Sequence, residues 1–134
     1  MRVISLRIRA ALYAVALALL SVPTPAQAAP AVSESVLTLT VTDDGSSTPL
    51  GGTELLCQPA GGSHPQAAAA CAALEAAGGD PERLAGRTGI FCNQLFQPVT
   101  ARAAGLWRGV PVHWQRSFSN LCGLHTRTDP LFRV

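Results

Sequence analysis

The sequence predicts an α+β fold. Two apolar segments of strand character come first, an alanine-rich block bounded by proline and glycine follows, and strand-like segments separated by turn residues close the chain. Strands, then a helical block, then strands in hairpins is the α+β pattern.

The first residues are read as a targeting segment rather than as part of the fold. Arg2, Arg7 and Arg9 form a basic leader, Ala10–Leu20 is an apolar run of eleven residues, and Ala26-Gln27-Ala28 is a small-x-small cleavage site. That run has the length of a signal-peptide core and is too short to cross a bilayer. The alternative, a membrane anchor, would need a longer run or a lipoprotein cysteine, and the first cysteine is Cys57. The expectation is a signal peptide over residues 1–28, removed after Ala28, and a secreted, extracellular domain over residues 29–134 with no membrane segment in the mature form. About 106 residues make one small domain. Its seven arginines face eight carboxylates, a net charge of about −1, and every basic residue is arginine. No basic patch points to a nucleic-acid partner.

The elements follow in order. Val36–Val41 alternates, with Leu37, Leu39 and Val41 on one face and Thr38 and Thr40 on the other, so it is a strand. Asp43–Gly52 is a turn-rich connection, with Asp43-Asp44 as a solvated turn. Thr53–Gln58 is a second strand, broken by Gly61-Gly62-Ser63. Pro65 suits a first helical position, and the helix from Pro65 to Ala77 stops at Gly78-Gly79. Asp80-Pro81-Glu82 starts a short helix that ends near Gly86. Val99–Ala103 reads as a strand, and Ala104-Gly105 and Arg108-Gly109 as turns. Val110–Phe118 alternates, with Val112, Trp114 and Phe118 on one side; Arg116 on that same side implies a bulge or an edge position. Leu131–Val134 could close the sheet.

Four cysteines in an exported chain favour two disulfides over metal binding. There is no Cys-x-x-Cys pair, and the spacings fit no zinc pattern. Three connectivities are open. Sequential pairing, Cys57 with Cys71 and Cys92 with Cys122, is the easiest locally, and Cys71 can tie the helix to the second strand. In the chain-entropy model, loops of about 15 and 31 residues contribute about 3 and 3.7 kcal/mol.

Catalytic and metal chemistry find little support. Ser117 and Ser119 lie near His113, with Asp129 downstream, but no Gly-x-Ser-x-Gly elbow frames them, and on a strand Ser117 and His113 are about 13 Å apart. His64, His113 and His125 share no helical face. Trp107 and Trp114 read as core. No enzyme, metal site or cofactor is expected.

One stretch stands apart, GIFCNQLFQPV from Gly89 to Val99. It has no period of 2 or 3.6, yet it carries Phe91, Leu95 and Phe96. A bridge from Cys92 to Cys122 would hold its N-terminal side, and Pro98 stiffens its C-terminal side. An extended segment held rigid is what a protease active site binds, and prior ordering removes much of the entropic cost of binding. The alternative is a tethered loop whose Phe91 and Phe96 tuck into the core.

At these residues the chain resembles the Streptomyces subtilisin inhibitor family. The resemblance covers essentially the whole mature chain. It is carried by Leu37–Val41, by His64-Pro65 through Cys71-Ala72-Ala73-Leu74 to Gly78-Gly79-Asp80, by Cys92 to Pro98-Val99, by Gly105–Gly109 and by Phe118–Cys122. It implies a five-stranded antiparallel sheet packed with two α-helices, bridges Cys57–Cys71 and Cys92–Cys122, and a secreted homodimer that binds one subtilisin-like serine protease per subunit. The family's loop follows Cys-Pro-Met/Lys-Val-Tyr-Asp-Pro-Val, cut after the third residue. Transferred, the reactive bond is Gln94–Leu95, with Ile90, Phe91, Cys92, Asn93, Phe96 and Gln97 contacting the protease and Asn120 supporting the loop from beneath. Asn93, Gln94 and Phe96-Gln97 depart from the pattern, which puts potency and target in question but not the fold. The rival class is a secreted binding module without inhibitory activity, partner or substrate of an extracellular transglutaminase through Gln94.

Overall fold

The computed structural model describes residues 23–29 and 33–134. Most of the leader read over residues 1–28 lies outside the described residues; residues 23–29 are exposed and belong to no helix or strand.

The elements are β1 (Ser35–Asp43), β2 (Pro49–Cys57), β3 (Gly61–Gly62), α1 (Ala67–Ala76), a 3-10 turn (Pro81–Arg83), β4 (Val99–Trp107), β5 (Val110–Phe118) and α2 (Leu121–Thr128). The five strands form one antiparallel sheet in the order β3-β2-β1-β4-β5. The alternation of β1 sets its register. Leu37, Leu39 and Val41 are buried on the helix side, and Leu37 pairs with Leu55 of β2. On the other flank Leu39 and Val41 stand opposite Ala103 and Ala101 of β4, small residues against large ones. Leu74 of α1, Leu124 of α2, and Leu131 and Phe132 of the C-terminal segment complete the core. Each fully buried leucine contributes about 1.5–3 kcal/mol. Among the described residues no helix is long and apolar enough to cross a membrane.

Gly78 and Gly79 end α1 as expected, both at positive φ, with Gly79 N donating to Leu74 O and Gly78 N to Glu75 O, a Schellman closure. Asp80 Oδ1 accepts from Glu82 N and starts the 3-10 turn. Arg108 and Gly109 both take positive φ, the requirement of a two-residue hairpin turn. Both bridges are sequential, Cys57–Cys71 tying β2 to α1 and Cys92–Cys122 tying the exposed loop to α2.

Four expectations are corrected. The α1 helix begins at Ala67, not Pro65, because the His64 ring takes over the entrance: Nδ1 accepts from Gln66 N at 3.0 Å and Nε2 donates to Leu131 O at 2.9 Å. Gly105 is no turn but part of β4. There β1 comes so close that a Cβ would lie 2.1 Å from Val36 O, which only glycine allows. Leu131–Val134 does not close the sheet. Leu131 and Phe132 pack into the core, Phe132 against the Trp114 ring at 5.4 Å, and the fifth strand is the short β3. Residues 121–128, not read as an element from their own pattern, form α2, the second of the two helices the resemblance implied. For Arg116, the unbroken β4–β5 register decides for the edge and against a bulge.

Candidate functional site: the loop from Gly89 to Pro98

The loop leaves the core at Leu84 and crosses α2 before it extends. Gly86, at positive φ, passes so close to α2 that a Cβ would meet Thr126 O at 2.6 Å. Arg87 N donates to that same carbonyl at 2.8 Å. Arg127 donates to Glu82 O at 2.7 Å and to Leu84 O, fastening the 3-10 turn to α2. The loop's N-terminal root is therefore set by α2, and the Cys92–Cys122 bridge repeats the connection three residues past Gly89.

From Gly89 to Pro98 there is no helix or strand, and the large side chains point outward. Phe91 is 99 % exposed, Phe96 78 % and Leu95 59 %. The alternative in which Phe91 and Phe96 tuck into the core is thus not what the fold adopts. Exposed aromatic residues this close together mark a surface made to be covered. Asn93, Gln94 and Gln97 are also exposed, and Ile90 less so than its neighbour Phe91. The loop carries no charge.

Beneath the loop lies Asn120, 7 % exposed. Its Nδ2 donates to Leu95 O at 2.9 Å and to Asn93 O at 3.3 Å, the two carbonyls that flank Gln94. Its Oδ1 accepts from Gly123 N at 2.9 Å and caps α2. All the polar atoms of this carboxamide are used, so its orientation is fixed by its partners. Beyond Gln94, Gln97 N donates to Ser119 O and Pro98 O accepts from Asp44 N, both at 2.9 Å. Asn93 Oδ1 in turn accepts from Leu95 N at 3.3 Å.

The structure brings together Cys92, Asn93, Leu95, Gln97, Pro98 and Asn120. Sequence reasoning missed Thr126, Arg127, Ser119 and Asp44, whose contacts are mostly main-chain and carry no residue signature. The Asn93 side-chain contact had a signal, since asparagine readily bonds its own backbone two residues on.

Of the groups weighed for catalysis, Ser117, His64 and Asp129 are engaged elsewhere. Ser117 Oγ pairs with Thr100 Oγ1 at 2.7 Å. His64 is buried at the start of α1, His113 lies on β5, and His125 lies on α2, where burial and then Arg133 lower its pKa below the ordinary histidine value. Asp43 accepts from Ser46 N within the β1–β2 turn, and this bond holds its carboxyl below the usual range.

A one-sided sheet with two helices, two bridges and a rigid exposed loop is the build of a small proteinaceous inhibitor. The chain matches the model of subtilisin inhibitor-like proteins over residues 33–120, and it belongs to that family. It is 42 % identical over 115 residues to a trypsin inhibitor of Streptomyces longisporus, covering 81 % of this chain and 79 % of that one. It is also 42 % identical over 101 residues to subtilisin inhibitor-like protein 4 of Streptomyces lavendulae, covering 71 % and 87 %. Among solved structures it is similar to sermetstatin of Streptomyces caespitosus in its complex with Bacillus licheniformis subtilisin. That match has a TM-score of 0.64 and 34 % identity, and covers 75 % of this chain and 98 % of that one.

Proposed function

We propose that the protein is a secreted inhibitor of subtilisin-like serine endopeptidases, with Gln94–Leu95 as its reactive bond. The observation that carries this is the pair of Asn120 hydrogen bonds to the carbonyls on either side of Gln94, beneath a loop whose side chains are exposed. Such a loop meets a protease cleft as an extended substrate does, and it loses little freedom on binding because it is already ordered. Ile90, Phe91, Cys92 and Asn93 then lie on one side of the bond and Leu95, Phe96 and Gln97 on the other, with Gln94 in the primary pocket.

The leader supports removal of residues 1–28 and export of residues 29–134. The family supports a homodimer. The sheet face away from the helices, with Val36 and Leu106 exposed, is the surface a second copy would cover.

The test is titration of subtilisin with the purified mature protein. Activity should fall linearly to zero near one chain per protease. A subtilisin left fully active at micromolar excess would refute the reading. Sedimentation that finds only a species near ~11 kDa, the mass of about 106 residues, would remove the dimer. The exposure of Gln94 and Gln97 favours a second reading, in which a transglutaminase uses this loop. Enzymatic incorporation of an amine at Gln94, together with a silent subtilisin titration, would put that reading first.

A further inference from the structure

We propose that Asn93 is a positioning residue for the Gln94–Leu95 bond: its side-chain oxygen holds the Leu95 nitrogen through scission and thereby favours re-formation of the peptide. This rests on the inhibitor reading above.

Asn93 Oδ1 accepts from Leu95 N at 3.3 Å, so the contact spans Gln94 and ends on the nitrogen that leaves when the bond is cut. The other contacts fasten each side of the bond to the body of the protein. The Cys92–Cys122 bridge and Asn120 hold the first side, and Asn120 and Ser119 O hold the second. Among the described residues, the Asn93 side chain alone links one side directly to the other within the loop.

The chemistry gives that link a task. The protease's serine oxygen adds to the Gln94 carbonyl carbon. The bond from that carbon to Leu95 N breaks as the nitrogen takes a proton from the protease's histidine, leaving an acyl-enzyme and an amine. Water and the Leu95 amine then compete for the acyl carbon. Water gives a Gln94 carboxylate; the amine returns the peptide and its proton to the histidine, and frees the serine. A nucleophile held in place has an effective concentration far above that of a free one. The Leu95 nitrogen keeps the N–H that it offers to Oδ1, so the contact survives scission and the amine stays by the carbon it left. Asn120 positions the two carbonyls, but it does not touch the nitrogen.

Wild type, Asn93→Ala and Asn93→Asp separate this role from the rest. The alanine variant removes the side-chain carboxamide and with it the Oδ1 contact, while the Asn93 contact with Asn120 stays, because it is made by the main chain. Aspartate keeps an acceptor in place. Each protein is mixed with subtilisin, and each is also cut beforehand, purified and returned to the protease to follow re-formation of the bond. We expect equal melting temperatures; because Asn93 also faces the protease, re-formation is followed at saturating protease, where a change in affinity drops out. Re-formation should be about tenfold slower for Asn93→Ala, with inhibition lost correspondingly sooner, and near the wild-type rate for Asn93→Asp. Wild type that inhibits while Asn93→Ala re-forms the bond at the wild-type rate overturns the Asn93 role alone. So does an aspartate variant as slow as alanine. Wild type that subtilisin neither binds nor cuts overturns the inhibitor reading and this role with it.

Discussion

Asn120 and Leu95 are joined by a 2.9 Å hydrogen bond from the carboxamide nitrogen to the main-chain carbonyl, while the oxygen of the same carboxamide caps α2. Helix start and loop are thereby fixed by one side chain, and the two duties can be separated. Serine caps as well as asparagine but is too short to reach the loop. Asn120→Ser should keep α2 and lose the loop support, with inhibition weakened about tenfold, on the order of 1.4 kcal/mol. Asn120→Ala should lose a further 0.5–2 kcal/mol or so of stability for the missing cap. Denaturant unfolding beside an inhibition assay reads both.

The Cys92–Cys122 bridge closes the larger of the two disulfide loops, and all four cysteines are paired. Replacing both Cys92 and Cys122 with serine should cost about 3.7 kcal/mol of stability and free the N-terminal side of the reactive segment. The expected result is a protein that subtilisin cuts after Gln94 as an ordinary substrate, seen as two fragments by mass spectrometry. Thiol titration of the unfolded, unreduced wild type should find no free thiol.

In the proposed reading, Gln94 decides the target. The pocket of a trypsin-like protease holds a buried carboxylate, and glutamine cannot neutralise it. An unpaired buried charge costs several kcal/mol, on the order of a hundredfold or more in affinity. Wild type should inhibit trypsin weakly, and Gln94→Arg should gain trypsin inhibition while changing subtilisin binding far less. Inhibition constants against the two proteases check this directly.

Gly79 is one of the positions where the fold tolerates no side chain. It has positive φ, and a Cβ would lie 2.2 Å from Cδ1 of the largely buried Trp107. Gly79→Ala should destabilise the protein by about 2–5 kcal/mol, combining backbone strain and overpacking. Gly78→Ala, where a Cβ meets nothing within 4 Å, should cost only the strain. Thermal unfolding of the pair separates the two contributions.

Glu82 gives the stability an acid limb. Its carboxylate accepts from Trp114 Nε1 at 2.9 Å and from Arg116 at 2.6 Å. Its pKa is lowered below the ordinary 4.5, first by the Trp114 bond and then by Arg116 and Arg127. A carboxylate with a lowered folded pKa stabilises the fold above the unfolded value, and the gain is lost as pH falls through the folded value. Unfolding measured from pH 6 downwards should show stability declining below about pH 4.5, and Glu82→Gln should flatten part of that decline.

Much of the architecture was legible because its signals are local. The alternation of Leu37, Leu39 and Val41 needs only a period of two, and the stop at Gly78-Gly79 needs only the chemistry of positive φ. α2 was not legible from its own residues. Gly123, Thr126 and Thr128 are weak helix formers, and only Leu124 and Thr128 are buried. The helix is held by the Asn120 cap, by the bridge at Cys122 and by Thr128 Oγ1 bonding Leu124 O, two of which depend on distant or capping partners. Gly105 was misread because a glycine that admits a neighbouring strand looks the same in sequence as one that turns the chain. At the loop, the cysteine and the proline mark the boundaries. The supports from Ser119 to Arg127 become visible only once α2 is in place, since they join segments more than twenty residues apart, and the bonds to Ser119 O and Thr126 O use main-chain atoms alone.

The strand order has a consequence for what scission means. Every strand before the loop lies on one side of the β1–β4 seam, and every strand after it lies on the other. The Gln94–Leu95 bond therefore divides the chain into two halves, β1 to β3 with α1, and β4 and β5 with α2. Cys57–Cys71 stays within the first half, whereas Cys92–Cys122 crosses to the second. A molecule opened at this bond is a pair of complementing fragments, zipped along a ladder of eight residue pairs and stitched by one disulfide. Closing the bond again is then the final step of fragment reconstitution, with its two ends delivered to each other by half a protein on either side.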